Sequence, residues 1–157
     1  MELTRRDALI ALGAAGAATG GAYAVSRLGD ESTAEEVVER LGYVAEVVYP
    51  SEAEVTRDFL ETYVVGRVEE RDGYLDGVTE ALDSLDSYTR NLRDEGFGDA
   101  PLDARDSLLR YMGVDEAEPD PDGTEAERVR YYLVNELQYA LYTTPVGGKL
   151  VGIENPV

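Results

Sequence analysis

Past Leu28 the apolar residues recur at helical spacing, and five segments can be read from them. In the first, Val37, Val38, Leu41, Val44, Ala45 and Val48 form one stripe. Ser32 and Glu35 have capping-box spacing at its start, and Pro50 ends it. Ser51 and Glu54 repeat that spacing and predict a second helix through Phe59, Leu60, Tyr63, Val64 and Val68. A third is predicted from Tyr74 to Asp94, with Leu75, Val78, Leu82, Leu85 and Leu92 buried and Gly96 as its C-cap. Pro101 suits the first turn of a fourth, which carries Leu108, Leu109 and Met112 and stops at Gly113. Thr124 and Glu127 open the fifth, with Val129, Leu133, Leu137, Ala140 and Leu141 facing inward. No alternating strand pattern, internal repeat or second domain is evident. The expected fold is all-α: a compact single-domain bundle of about five helices over residues 32–157, after an N-terminal segment of different character.

That segment, residues 1–26, has Thr4-Arg5-Arg6-Asp7 before a charge-free run from Ala8 to Ser26. The run is mostly Ala and Gly, and its large aliphatics are only Leu9, Ile10, Leu12 and Val25. As a helix it would reach about 28 Å, close to the ~30 Å hydrocarbon core of a bilayer. Ala and Gly contribute little transfer energy, so composition argues against a firm span. Paired arginines before a weakly apolar stretch resemble a twin-arginine export signal, with Arg5 and Arg6 as the targeting pair. Ala22 and Ala24 have the small-residue spacing that a signal peptidase reads, and an uncleaved anchor is the alternative. Ala8 departs from the signal pattern, which commonly has Phe there. Such signals carry proteins that fold before export, so the expected location is the outer face of the cytoplasmic membrane.

Composition narrows the chemistry. The 157 residues include 33 acidic and 14 basic side chains, for a formal net charge of -19, and Lys149 is the only lysine. An apolar fraction of 43% still allows a core. At low ionic strength such a charge opposes compaction, whereas near 1 M salt the screening length falls to about 3 Å. Excess acid with almost no Lys therefore points to a halophilic source, beside the plainer reading of an ordinary acidic protein. Nucleic acid is not an expected partner, because binding it needs a cationic surface. With no Cys and no His, the chain has no disulfide, no thiolate or imidazole metal ligand, and no nucleophilic triad built on them.

Few motifs remain. The run Glu118-Pro119-Asp120-Pro121-Asp122-Gly123 resembles the start of an EF-hand loop, but its twelfth position is Val129 where a bidentate Glu is needed. A turn into the Thr124 cap explains the same residues. Asp83/Asp86 and Asp103/Asp106 have helical spacing and fit a solvated face better than an acid–base pair. No phosphate-binding glycine motif is present. The 11 Tyr against two Phe are more unusual. Tyr131, Tyr132, Tyr139 and Tyr142 crowd the last helix, with Tyr132 and Tyr139 seven apart, and Asn135 and Glu136 lie between them. Half-buried core tyrosines would account for this. So would a protein-binding face, since Tyr buries much area at low entropic cost and keeps a polar tip.

The leader, the segment Val44-Ala45-Glu46-Val47-Val48-Tyr49-Pro50-Ser51 and the closing run Arg130-Tyr131-Tyr132-Leu133-Val134-Asn135-Glu136-Leu137 through Tyr142-Thr143-Thr144-Pro145 together resemble the gluconate 2-dehydrogenase subunit 3 family in its haloarchaeal form. The resemblance covers about residues 36–157. It implies an accessory subunit with no catalytic residue, cofactor or metal of its own. Its implied partners are a large FAD-dependent oxidoreductase of the glucose-methanol-choline type, in some systems a cytochrome c subunit carrying haem c, and the twin-arginine (Tat) translocase. The expected interface residues are Tyr131, Tyr132, Asn135, Glu136, Tyr139 and Tyr142. The resemblance also implies a Gly- and Pro-rich continuation after Asn155-Pro156-Val157, which this sequence lacks. The alternative expectation is a stand-alone, membrane-anchored binding or scaffold protein. A hydrolase using two carboxylates is a third and weaker one.

Overall fold

The computed structural model describes residues 31–53 and 55–143. Arg5, Arg6, Ala22, Ala24, Glu54 and the irregular tail expected after Thr143 lie outside the described residues, as does the side chain of Val68. The chain divides into two compact units, Met1–Glu36 and Val37–Val157. Of the first, only residues 31–36 are described, and they are helical.

The described residues are all helical, without strands. Helix α1 covers Glu31–Val48, α2 Arg57–Glu70, α3 Tyr74–Arg93 and α4 Leu102–Met112. A 3-10 turn, Phe97–Asp99, links α3 to α4. The last helix, α5, consists of Glu125–Val129, a π-helical stretch Arg130–Asn135, and Glu136–Thr143. It is continuous, because Arg130 and Glu136 at its internal joints both keep right-handed helical backbone. The expected five-helix, all-α body is therefore present. Among the described residues no helix is long and apolar enough to cross a bilayer.

The predicted stripes make up the core of the second unit. Val37, Val38, Leu41, Val44 and Ala45 of α1 meet Leu60 and Val64 of α2, Val78, Leu82 and Leu85 of α3, and Val129, Leu133 and Leu137 of α5 in one apolar cluster. Two polar ties fix its edges. Buried Tyr49, just past α1, donates its hydroxyl to the Leu137 carbonyl at 2.6 Å. Buried Arg105 of α4 donates to the carbonyls of Ala100 (2.8 Å) and Gly98 (2.9 Å) and also pairs with Glu46. One guanidinium thus supplies backbone acceptors that would otherwise be left unmet in the α3–α4 connection.

Several boundaries differ from expectation, each for a local reason. Helix α1 already includes Glu31 and Ser32, so Ser32 does not cap it. Helix α2 starts later than the Ser51/Glu54 spacing implies, because Ala53 and Val55 pack against the core from an irregular segment. Thr56 is the N-cap instead, accepting from the Phe59 amide at 3.2 Å. Asp94, not Gly96, closes α3 in the left-handed region (φ 60), a conformation Asp tolerates better than most side chains. Thr89 is the last buried residue of α3, so Leu92 lies beyond the covering elements and is 57% exposed. The Thr124–Glu127 capping box forms as read, with both reciprocal bonds. The acidic loop before it is a turn in which Asp120 accepts from the Asp122 amide at 2.9 Å.

Candidate functional site

The most organised polar group in the molecule centres on Glu136, where α5 leaves its π-helical stretch. Glu136 is only 9% exposed. An unpaired carboxylate there would carry a desolvation penalty of several kcal/mol. Helix α2 offsets this cost through residues four apart on one face. Tyr63 donates its hydroxyl to Glu136 Oε2 at 2.6 Å, and Arg67 Nε lies 3.2 Å from the same oxygen. Arg71, at the C-cap of α2, donates from Nη1 to Glu136 Oε1 and from Nη2 to the Tyr131 hydroxyl at 2.8 Å. Arg67 Nε also donates to the Tyr63 hydroxyl at 2.8 Å. Both carboxylate oxygens are therefore engaged.

Aromatic rings enclose the two guanidinium groups. Arg67 lies over the rings of Tyr139 (4.5 Å) and Tyr63 (5.3 Å). Arg71 lies 5.5 Å from both Tyr74 and Tyr131. Such stacking is worth about 0.5–2 kcal/mol per pair, more where water is excluded. Tyr131 meets Tyr132 edge-on, with centroids 4.8 Å apart. The Tyr132 ring in turn lies against Gly77 of α3 so closely that a Cβ at Gly77 would overlap it. Here a glycine is required by close approach.

The π-helical stretch explains how one guanidinium reaches both Tyr131 and Glu136. In a regular α-helix, residues five apart point about 140° from each other. In a π-helix the hydrogen bonds run i to i+5, so such residues stack on one face. The same wide turn straightens the core stripe. Val129, Leu133, Leu137 and Leu141 are all buried at four-residue spacing, which would drift about 40° per step in a regular helix.

Burial pushes the Tyr63 phenol well up, and its hydrogen bond to Glu136 adds to the shift. Burial likewise raises Tyr74 and Tyr49. For Arg67, burial alone would favour deprotonation, but the Tyr63 hydrogen bond and the Glu136 charge outweigh it and the net shift is upward. The phenols titrate at 10.0 when free, so the folded state holds protons that the unfolded chain has released above that pH. Stability from these groups is complete below pH 10.0 and is lost as pH rises toward their folded values. The melting temperature should therefore be insensitive to these phenols between pH 8 and about pH 10 and fall steeply above it, with tyrosinate absorbance appearing only as the helix signal disappears. Tyrosinate absorbance that rises while helicity is intact would contradict this.

Of the residues expected at a site, Tyr131, Glu136 and Tyr139 come together around Arg67 and Arg71. Tyr132 and Tyr139 do not meet a common neighbour: the first packs on α3 and the second on α2. Asn135 is half-buried. Tyr139 and Tyr142 are 51% and 59% exposed on the outer side of α5. Asp83 and Asp86 both bind Arg40, at 2.9 and 3.1 Å, which assigns that pair to α1–α3 packing. Sequence reasoning missed Arg67, Arg71 and Tyr74 as members of the network. The signal that could have found them is the Tyr63, Arg67, Arg71 spacing of four along α2.

A groove of about 600 Å³ lies apart from this network. Gly42, Tyr43, Pro50, Val55, Leu60 and Leu102 are among the residues lining it. Its charged rim is internally paired: Tyr43 donates to Glu39 (3.0 Å), and Arg57 binds Glu61 (2.8 Å). Chemically, the Glu136 network is a rigid mount. Its acid oxygens are occupied, its phenols stay protonated, and what it offers to the outside is aromatic surface. Comparison of the chain with known protein families, curated proteins and solved structures returns no match.

Proposed function

We propose that this chain is a non-catalytic accessory subunit. In this reading it docks on a larger FAD-dependent oxidoreductase of the glucose-methanol-choline type through the outer face of α5 and accompanies that partner through the twin-arginine pathway. The observation that carries the reading is the pair of large aromatic side chains, Tyr139 and Tyr142, left exposed one helical turn apart beside a network that holds the helix in place. Exposed tyrosines on a fixed helix resemble the anchors that dominate protein–protein affinity. The leader with Arg5 and Arg6, the lack of Cys and His, and the resemblance of residues 36–157 to the gluconate 2-dehydrogenase subunit 3 family support the same reading. FAD, and haem c where a cytochrome subunit takes part, would belong to the partners. The substrate would be a sugar acid or alcohol handled entirely by the flavoprotein.

Replacing both anchors tests this. The double variant Tyr139→Ser/Tyr142→Ser should weaken association with the flavoprotein at least tenfold, the scale of a 1.4 kcal/mol or larger anchor effect. Its melting temperature should stay near that of the parent, because both side chains are more than half exposed. Association of unchanged strength, measured by co-purification and by titration at high salt, would count against this face.

A further inference from the structure

The contact between Arg67 and Tyr139 has a use that the docking reading alone does not require. Tyr139 is half exposed, yet its ring lies 4.5 Å from the Arg67 guanidinium carbon. Arg67 is itself fixed from three sides: by the Tyr63 hydroxyl at 2.8 Å, by Glu136 at 3.2 Å and by Glu70 at 3.3 Å. An exposed tyrosine normally samples several rotamers, and ordering it on binding costs about 0.5–1.5 kcal/mol. Here a cation that is mostly buried, and whose own position is over-determined, has already taken one face of the ring.

We infer that Arg67 is a positioning residue that holds Tyr139 in its partner-ready rotamer before any partner arrives. The inference rests on the docking reading for its consequence, but not for its geometry. The covered face of the ring is taken by a cation, so the open face and edge are what a partner meets. Those fit an apolar slot with one acceptor for the phenol hydroxyl. Tyr142 lacks this support among the contacts of the described residues, so it is the adaptable member of the pair.

The test uses the full chain and the flavoprotein that co-purifies with it. Arg67→Lys keeps a positive charge near Glu136 but removes the planar stack. In the free chain, side-chain NMR relaxation of labelled tyrosine should show the Tyr139 ring fixed in the parent and averaging rapidly in Arg67→Lys. In the complex, Arg67→Lys should speed dissociation about two- to tenfold with little change in the association rate. In a Tyr139→Ala background the same change should have no further effect, since Arg67 would act only through that ring. A ring that stays fixed in Arg67→Lys overturns the inference, as does an Arg67 effect that persists in full without Tyr139. If Tyr139→Ala leaves association untouched, the docking reading fails, while the relaxation data still decide what Arg67 does.

Discussion

Glu136→Gln is expected to destabilise the protein by about 2–4 kcal/mol, more than any exposed substitution. The change removes the charge that neutralises Arg67 and Arg71 and leaves two guanidinium groups partly buried against each other. Breaking a buried pair from one side costs this much because the remaining charge loses its compensation without regaining water. For a chain of 157 residues the melting temperature should fall by roughly 5–15 °C. Glu80→Gln provides the control. Glu80 is 69% exposed and reaches Arg128 only at 3.4 Å, so its loss should matter by no more than about 0.5 kcal/mol. Thermal unfolding of the two variants side by side is the check. Equal effects would mean that the Glu136 network is no more than a surface feature.

The second large effect concerns export. Arg5→Lys/Arg6→Lys keeps the charge of the leader and removes the paired guanidinium groups. If the chain brings a folded flavoprotein across the membrane, this variant should leave nearly all dehydrogenase activity in the cytoplasmic fraction, with the complex still assembled there. Activity that still reaches the outer face would show that the partner does not depend on this leader.

What could be read in advance was whatever depends on repeating burial. The stripes of α1, α3 and α5 place Val44, Val78 and Leu133 in the core because helical periodicity and hydrophobicity are both local in sequence. The capping box at Thr124 was equally legible, since its two partners are three residues apart. Errors arose where tertiary packing chose between local options. Ser51 offers a cap, but burial of Ala53 and Val55 moves the start of α2 to Thr56. Leu92 matches the α3 stripe and is exposed because nothing covers that turn.

The site was half legible. The tyrosine-rich last helix was visible as composition. The partners of Glu136 were not, because they lie 60 or more positions earlier in the chain. The four-residue spacing of Val129, Leu133, Leu137 and Leu141 did hold a trace of the wide turn, since a regular helix cannot keep such a row on one side. That turn brings Tyr131 and Glu136 to the same arginine, so the geometry of the mount follows from a small mismatch in period.

The most direct measurement is isolation of the chain from its native source under high salt, which screens its surplus of negative charge. The eluate is then examined for a flavin spectrum, subunit stoichiometry and turnover. A stoichiometric yellow complex, whose activity resides in the larger subunit after the two are separated, is the predicted result. A colourless, monodisperse single chain that turns over a substrate by itself would contradict the account.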